Sequence, residues 1–343
     1  MQNNKLNVNN KKIYIEFLRI MAAFLVIVNH TNSSIFLNTE PSLIWFVSIA
    51  YFFISRIAVP IFLMIMGALL LDKQDDTKKY FSRIIRMSAV IAVFSVAIHL
   101  FRKGSMSPVS LLAEILNSGH VPYWYLYLYL ALLLILPFMQ KLAKSLDKKE
   151  IMWLIAVTLI LGGTEPFFKF AGLGIHTSFF DGLFTCYIGM IFAGYYIEKH
   201  MDITKKKAVG AAAGFAAIMF FQVAVSYAAY YIKGGSDYLF LGDIKAFTLS
   251  MSAVCIYIAV KYVFSNTHIS EKTAKIIKYI GSLTLGIYLV ADYFGTLYEP
   301  ICVNMMQSGN NMAAVIIYEI LIFVSAAVLT AVLKCIPIIK KLI

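Results

Sequence analysis

Apolar stretches follow one another nearly end to end along this chain, separated by short polar loops. Crossing a hydrocarbon core about 30 Å thick takes about 20 apolar residues in a helix. The pattern predicts about ten such helices, over 13–31, 44–71, 84–101, 122–140, 151–163, 178–197, 208–232, 243–264, 280–298 and 312–334. The expected fold is all-α, a polytopic integral membrane helical bundle, with residues 1–343 as a single transmembrane domain and nothing left over for a globular catalytic domain. The fifth span is short and ends in Gly162–Gly163 ahead of Glu165 and Pro166, so a broken or re-entrant segment is an alternative there. The first twelve residues are polar, and the apolar run behind them carries Arg19 without a small-residue cleavage site. It reads as a retained first helix rather than a signal peptide.

Composition agrees with the pattern. Hydrophobic residues make up 60% of the chain and charged ones 14%, against about 25% charged in soluble domains. A net charge of +12 would suit nucleic acid if the basic residues clustered as a binding face. Their positions say otherwise. The segments on the N-terminal side of the expected membrane hold 23 Lys and Arg, and those on the other side hold only Arg102, Lys103, Lys169, Lys233 and Lys245. Such asymmetry is the signature of cytoplasmic loops. It predicts a multi-pass membrane protein with both termini cytoplasmic, the lipid bilayer as its surroundings and no nucleic-acid partner. The four cysteines show neither bridge nor metal spacing, and no metal is expected.

Charges inside hydrocarbon are costly and mark a site by default. In the first span Arg19 and His30 are eleven residues apart, about 1100° of helical rotation, which returns them to one face about 16 Å apart along the axis. Glu16 stands one turn before Arg19 and is placed to pair with it. The bland alternative has Arg19 snorkelling to one interface and His30 lying among headgroups at the other. The second span shifts the balance, because Arg56 lies about eleven residues from its outer start, with Pro60 one turn on and Gly67 beyond. A hydrated cavity or buried partner suits it better than snorkelling. Arg83 and Arg86 share a face near the basic side, either as topology anchors or as a phosphate clamp. The string from His120 and Pro122 through Trp124 and Tyr127 to Tyr129 is either an interfacial aromatic belt or the wall of a sugar pocket.

Taken together, these residues resemble the acyltransferase-3 family of bacterial membrane acyltransferases. The resemblance is carried by the arginine, ten residues and histidine from Arg19 to His30, and by Ser55-Arg56-Ile-Ala-Val-Pro60-Ile-Phe62-Leu-Met-Ile-Met-Gly67 in the second span. Arg83-Ile-Ile-Arg86, Trp124-Tyr-Leu-Tyr127 with Pro137, and Gly281-Ser-Leu-Thr-Leu-Gly286-Ile-Tyr288 fall in family order. The second-span string looks closest to the subgroup that acetylates enterobacterial common antigen. Two positions depart: Met66 stands where the family has serine, and Val290-Ala291-Asp292 where it often has histidine.

The resemblance implies transfer of an acyl group, most often acetyl, from cytoplasmic acyl-coenzyme A to a hydroxyl of a cell-surface sugar, polysaccharide or glycolipid. It implies no bound cofactor, only acetyl-CoA or another acyl-CoA as donor, and partner proteins of a glycan-assembly pathway. His30 would be the general base, with Arg19 beside it in the catalytic set. Arg83 and Arg86 would hold the donor, and Arg56, Trp124 and Tyr127 the substrate. The rival reading is a secondary transporter or flippase with Arg19, His30, Arg56 and Glu319 along its path. No repeated halves of the kind many transporters carry are evident.

Overall fold

The computed structural model describes residues 10–31, 40–73, 76–103, 107, 109, 112, 113, 115, 123–173, 186–233, 237–307 and 311–343. They form helices and no strand. The helices are α1 (Asn10–His30), α2 (Leu43–Arg56), α3 (Ala58–Leu70), α4 (Thr77–Lys103), α5 (Trp124–Ser145), α6 (Lys148–Gly163), α7 (Glu165–Phe170), α8 (Cys186–Lys199), α9 (Lys205–Ile232), α10 (Phe247–Asn266), α11 (Glu271–Gln307), α12 (Asn311–Leu333) and α13 (Pro337–Leu342). Among the described residues, nine helical segments are long and apolar enough to cross a membrane. The sixth expected span, 178–197, is represented by α8, of which 14 residues are described. The expectation at His120 and Pro122 lies outside the described residues.

Large apolar side chains such as Phe138, Trp153, Phe220, Ile232 and Val328 are exposed around the bundle, the arrangement lipid contact requires. At its centre stands α1, which packs on α2, α3, α10, α11 and α12. Tyr14, Leu18, Ala22 and Leu25 are buried in these contacts, about three or four residues apart as one helix face demands.

Two spans are interrupted. The second divides at Ile57, between α2 and α3. The cause is Pro60, which has no N–H to return to the Arg56 carbonyl four residues earlier. The fifth divides at Thr164, directly after Gly162 and Gly163, so the broken-segment alternative holds and the two pieces make one 23-residue span.

Close packing without a hydrophobic driving force needs small residues. A Cβ on Gly67 of α3 would strike the Ile191 carbonyl of α8, and one on Gly194 of α8 would strike the Met64 carbonyl of α3. The two helices thus lock backbone to backbone, and α8 is buried throughout Gly189–Ile197.

Candidate functional site

A cavity of about 1310 Å³ runs through the bundle beside α1. Arg19, Asn29 and His30 all border it, as the one-face geometry of α1 predicts. Its lysine-rich end is bordered by Arg86 of α4, Ser282 of α11 and Lys334 just past α12, and its other end by Lys169 and Lys233.

At the lysine-rich end the cations outnumber the carboxylates. Arg19 is held by Glu16 through bonds of 2.8 and 3.0 Å from one guanidinium nitrogen. Gly281 of α11 makes room for that pair, since a Cβ there would meet the Glu16 carboxylate. Lys334 donates to the Ser282 carbonyl at 2.6 Å. Burial first, then the like charges of Arg86 and Lys340, push its ammonium below the ordinary lysine value. Arg83, Arg19 and Arg86 all lie near enough to act electrostatically on Tyr129, yet Arg83 is not among the cavity-lining side chains and Arg86 is.

Midway, Arg56 ends α2, where the last carbonyls of a helix favour a cation. Its guanidinium lies 4.7 Å from the centre of the Phe52 ring, and Asp243 is the carboxylate whose charge acts on it. The Arg56 Nε and the Asn29 Oδ1 are buried without a hydrogen-bond partner among the described residues. Both side chains line the cavity. Buried polar groups are normally satisfied, so two orphans on one wall mark where a ligand's polar groups would sit.

The aromatic wall comes from α5. Trp124, Tyr125 and Tyr129 face the cavity, whereas the Tyr127 hydroxyl turns away and donates to the Ile115 carbonyl at 2.7 Å. Of the residues expected from sequence, Arg19, His30, Arg56, Arg86 and Trp124 therefore converge on one space, and Arg83 and Tyr127 stand beside it. Sequence reasoning gave no site role to Asn29, Lys334 or Tyr288, which also line it.

Behind α1, Glu319 of α12 is fully buried. It accepts from Thr31 Oγ1 at 3.2 Å and from the Tyr51 hydroxyl. Thr31 follows His30 directly, so this carboxyl ties the imidazole-bearing end of α1 to α2 and α12.

The arrangement pairs an imidazole with a basic mouth and a half-buried guanidinium between them. That set can draw in a polyanionic ligand, accept a proton and steady an oxyanion. A family model described as an acyltransferase domain, acyltransferase-3, matches residues 12–336. No curated protein and no solved structure matches the chain.

Proposed function

The chain belongs to the acyltransferase-3 family, and from that membership we propose that it moves an acyl group, acetyl first among candidates, from acyl-coenzyme A to a hydroxyl of a cell-surface sugar, polysaccharide or glycolipid. The lysine-rich face is the cytoplasmic one in this reading, which puts both described ends of the chain inside. The acceptor class suggested by the second-span resemblance is a lipid-linked surface polysaccharide.

Arg86, Lys334 and Arg19 receive the phosphates of the donor, with Arg83 adding to the field. The thioester then extends along the cavity toward His30. An imidazole suits the next step because its ordinary pKa is near 6.5. His30 takes the proton from the acceptor hydroxyl as that oxygen bonds to the thioester carbonyl carbon. Arg56 steadies the oxyanion that forms, as donors in a water-poor site do. Collapse breaks the carbon–sulfur bond, and His30 passes its proton to the departing sulfur, leaving ester and free thiol. Trp124 and Tyr125 give the substrate a flat wall.

One observation carries this reading: a single cavity has Arg86 and Lys334 at one end and His30 at the other, with Arg19 on the same face of α1. A bore of this kind would also suit a transporter, and family membership favours acyl transfer. The test is His30→Ala, with His30→Gln beside it, assayed with radiolabelled acetyl-coenzyme A in membrane vesicles. General-base assistance is worth about 10²–10⁴-fold, so transfer should fall by that much or more at unchanged protein level. Most of the activity surviving in either variant would remove His30 from the chemistry.

A further inference from the structure

A second, smaller cavity of about 190 Å³ lies on the other side of His30. His30, Val26 and Tyr288 border both cavities, so the imidazole is part of the wall between them. Resting on the acyl-transfer reading, we propose that this second cavity is the acceptor site, and that it takes an uncharged or amino-bearing, hydroxyl-rich sugar rather than an anionic one.

Three features support the assignment. The first is position. The cavity is bordered by Thr31 at the far end of α1 and by the second half of α11, where Thr296 and Glu299 are exposed. It is therefore reached from the face opposite the lysine-rich one, while the cations that suit a polyphosphate border only the large cavity. Donor and acceptor would meet at His30 from opposite sides.

The second feature is chemistry. The polar lining consists of His30, Thr31, Asp292, Thr296, Glu299 and the Tyr318 and Tyr288 rings, and no lysine or arginine borders the cavity among the described residues. Asp292 and Glu299 are seven residues apart on α11, within about 20° of two full turns, and so share a face. Ionised carboxylates only accept hydrogen bonds, which matches the hydroxyls a sugar offers. The same two charges repel phosphate and uronate groups.

The third feature is size. A volume of about 190 Å³ holds about six waters at 30 Å³ each, room for one sugar ring and too little for a nucleotide. In the resulting ternary complex the acceptor O–H proton goes to His30 and then to the thiol sulfur. The new carbon–oxygen bond replaces the carbon–sulfur bond, and no other reactant is needed.

Gly295 gives a means of filling the site. A Cβ there would lie 3.7 Å from the Tyr318 hydroxyl and 4.0 Å from Ile322 Cδ1, ordinary contacts, so a longer side chain can enter the cavity without displacing backbone. The experiment measures acetyl transfer from acetyl-coenzyme A to p-nitrophenyl N-acetylglucosaminide and to its 6-phosphate, and separately the slow hydrolysis of donor without acceptor. The wild-type protein should prefer the uncharged sugar by at least ten-fold in kcat/KM. Gly295→Leu, or Thr296→Leu should the first fail to insert, should raise the acceptor KM at least ten-fold while the donor KM stays within two-fold. Asp292→Asn should narrow the preference against the phosphate. Donor hydrolysis without transfer to either sugar, an unchanged acceptor KM in both leucine variants, or a phosphate preference would overturn the acceptor site alone. No consumption of donor by the wild-type protein would overturn the acyl-transfer reading beneath it.

Discussion

Arg86→Ala should weaken use of the acyl donor far more than Arg83→Ala, although the two arginines are three residues apart on one helix. Arg86 borders the large cavity and Arg83 does not. Removing a charge-assisted phosphate contact costs about 1.5–3 kcal/mol, so the donor KM should rise between about 13-fold and about 160-fold. Arg83 reaches the same ligand only through its field. A unit charge about 10 Å away contributes between about 0.4 and about 1.7 kcal/mol as the effective dielectric falls from about 80 to about 20. Its loss should therefore cost between about two-fold and about 18-fold, and Arg83→Lys should restore the whole effect because only charge matters there. Arg86→Lys should restore part, since an ammonium cannot form the paired bonds of a guanidinium. Initial rates against acetyl-coenzyme A concentration in inverted vesicles give both constants. An Arg83→Ala defect equal to or larger than that of Arg86→Ala, or no donor defect in either, would refute the reasoning.

Three further outcomes follow from the packing and the charge pattern. Glu319→Ala should destabilise the bundle by about 1–3 kcal/mol, because it strands the Tyr51 hydroxyl, Thr31 keeping its 2.8 Å bond to the Ile27 carbonyl, while Glu319→Gln keeps most of the stability; thermal unfolding in detergent compares them, and equal losses would argue against the hydrogen bond. Gly194→Leu should prevent α3 and α8 from closing, lowering the melting temperature or the yield of inserted protein, whereas Gly210→Leu, with nothing near its Cβ, should do neither. A cysteine introduced at Lys206 should resist an impermeant maleimide in intact cells and label after permeabilisation; labelling in intact cells would reverse the assigned orientation.

Much of this was legible in the chain because membranes simplify folding. Apolar blocks set the spans, and Pro60 and Gly162–Gly163 marked both interruptions. Within α1, rotation per residue sufficed to put Arg19 and His30 on one face. What spacing cannot give is how one helix turns toward its neighbours. Trp124 and Tyr127 are three apart and were read as one surface, but the helix is rotated so that Trp124, Tyr125 and Tyr129 meet the cavity and Tyr127 meets Ile115. Lys334 looked like one more topology charge, since nothing in sequence brings the end of α12 beside Arg86. Length also misled: α11 runs for 37 residues because polar residues flank its apolar centre at both ends while remaining helical.

A bore bordered by charges from one face to the other also means that some of the membrane voltage falls along it. In the proposed orientation, with the lysine-rich face toward a negative cytoplasm, an anion moving up the bore would go down its electrical gradient, and a full crossing is worth about 2.3 kcal/mol per charge per 100 mV. The phosphates of the proposed donor would traverse only part of that drop, so on that proposal a polarised membrane should help to seat it. Collapsing the potential with an ionophore should then loosen it, which, on the proposed acyl transfer to surface glycans, would make the energetic state of the cell a hidden variable in how fast that transfer runs.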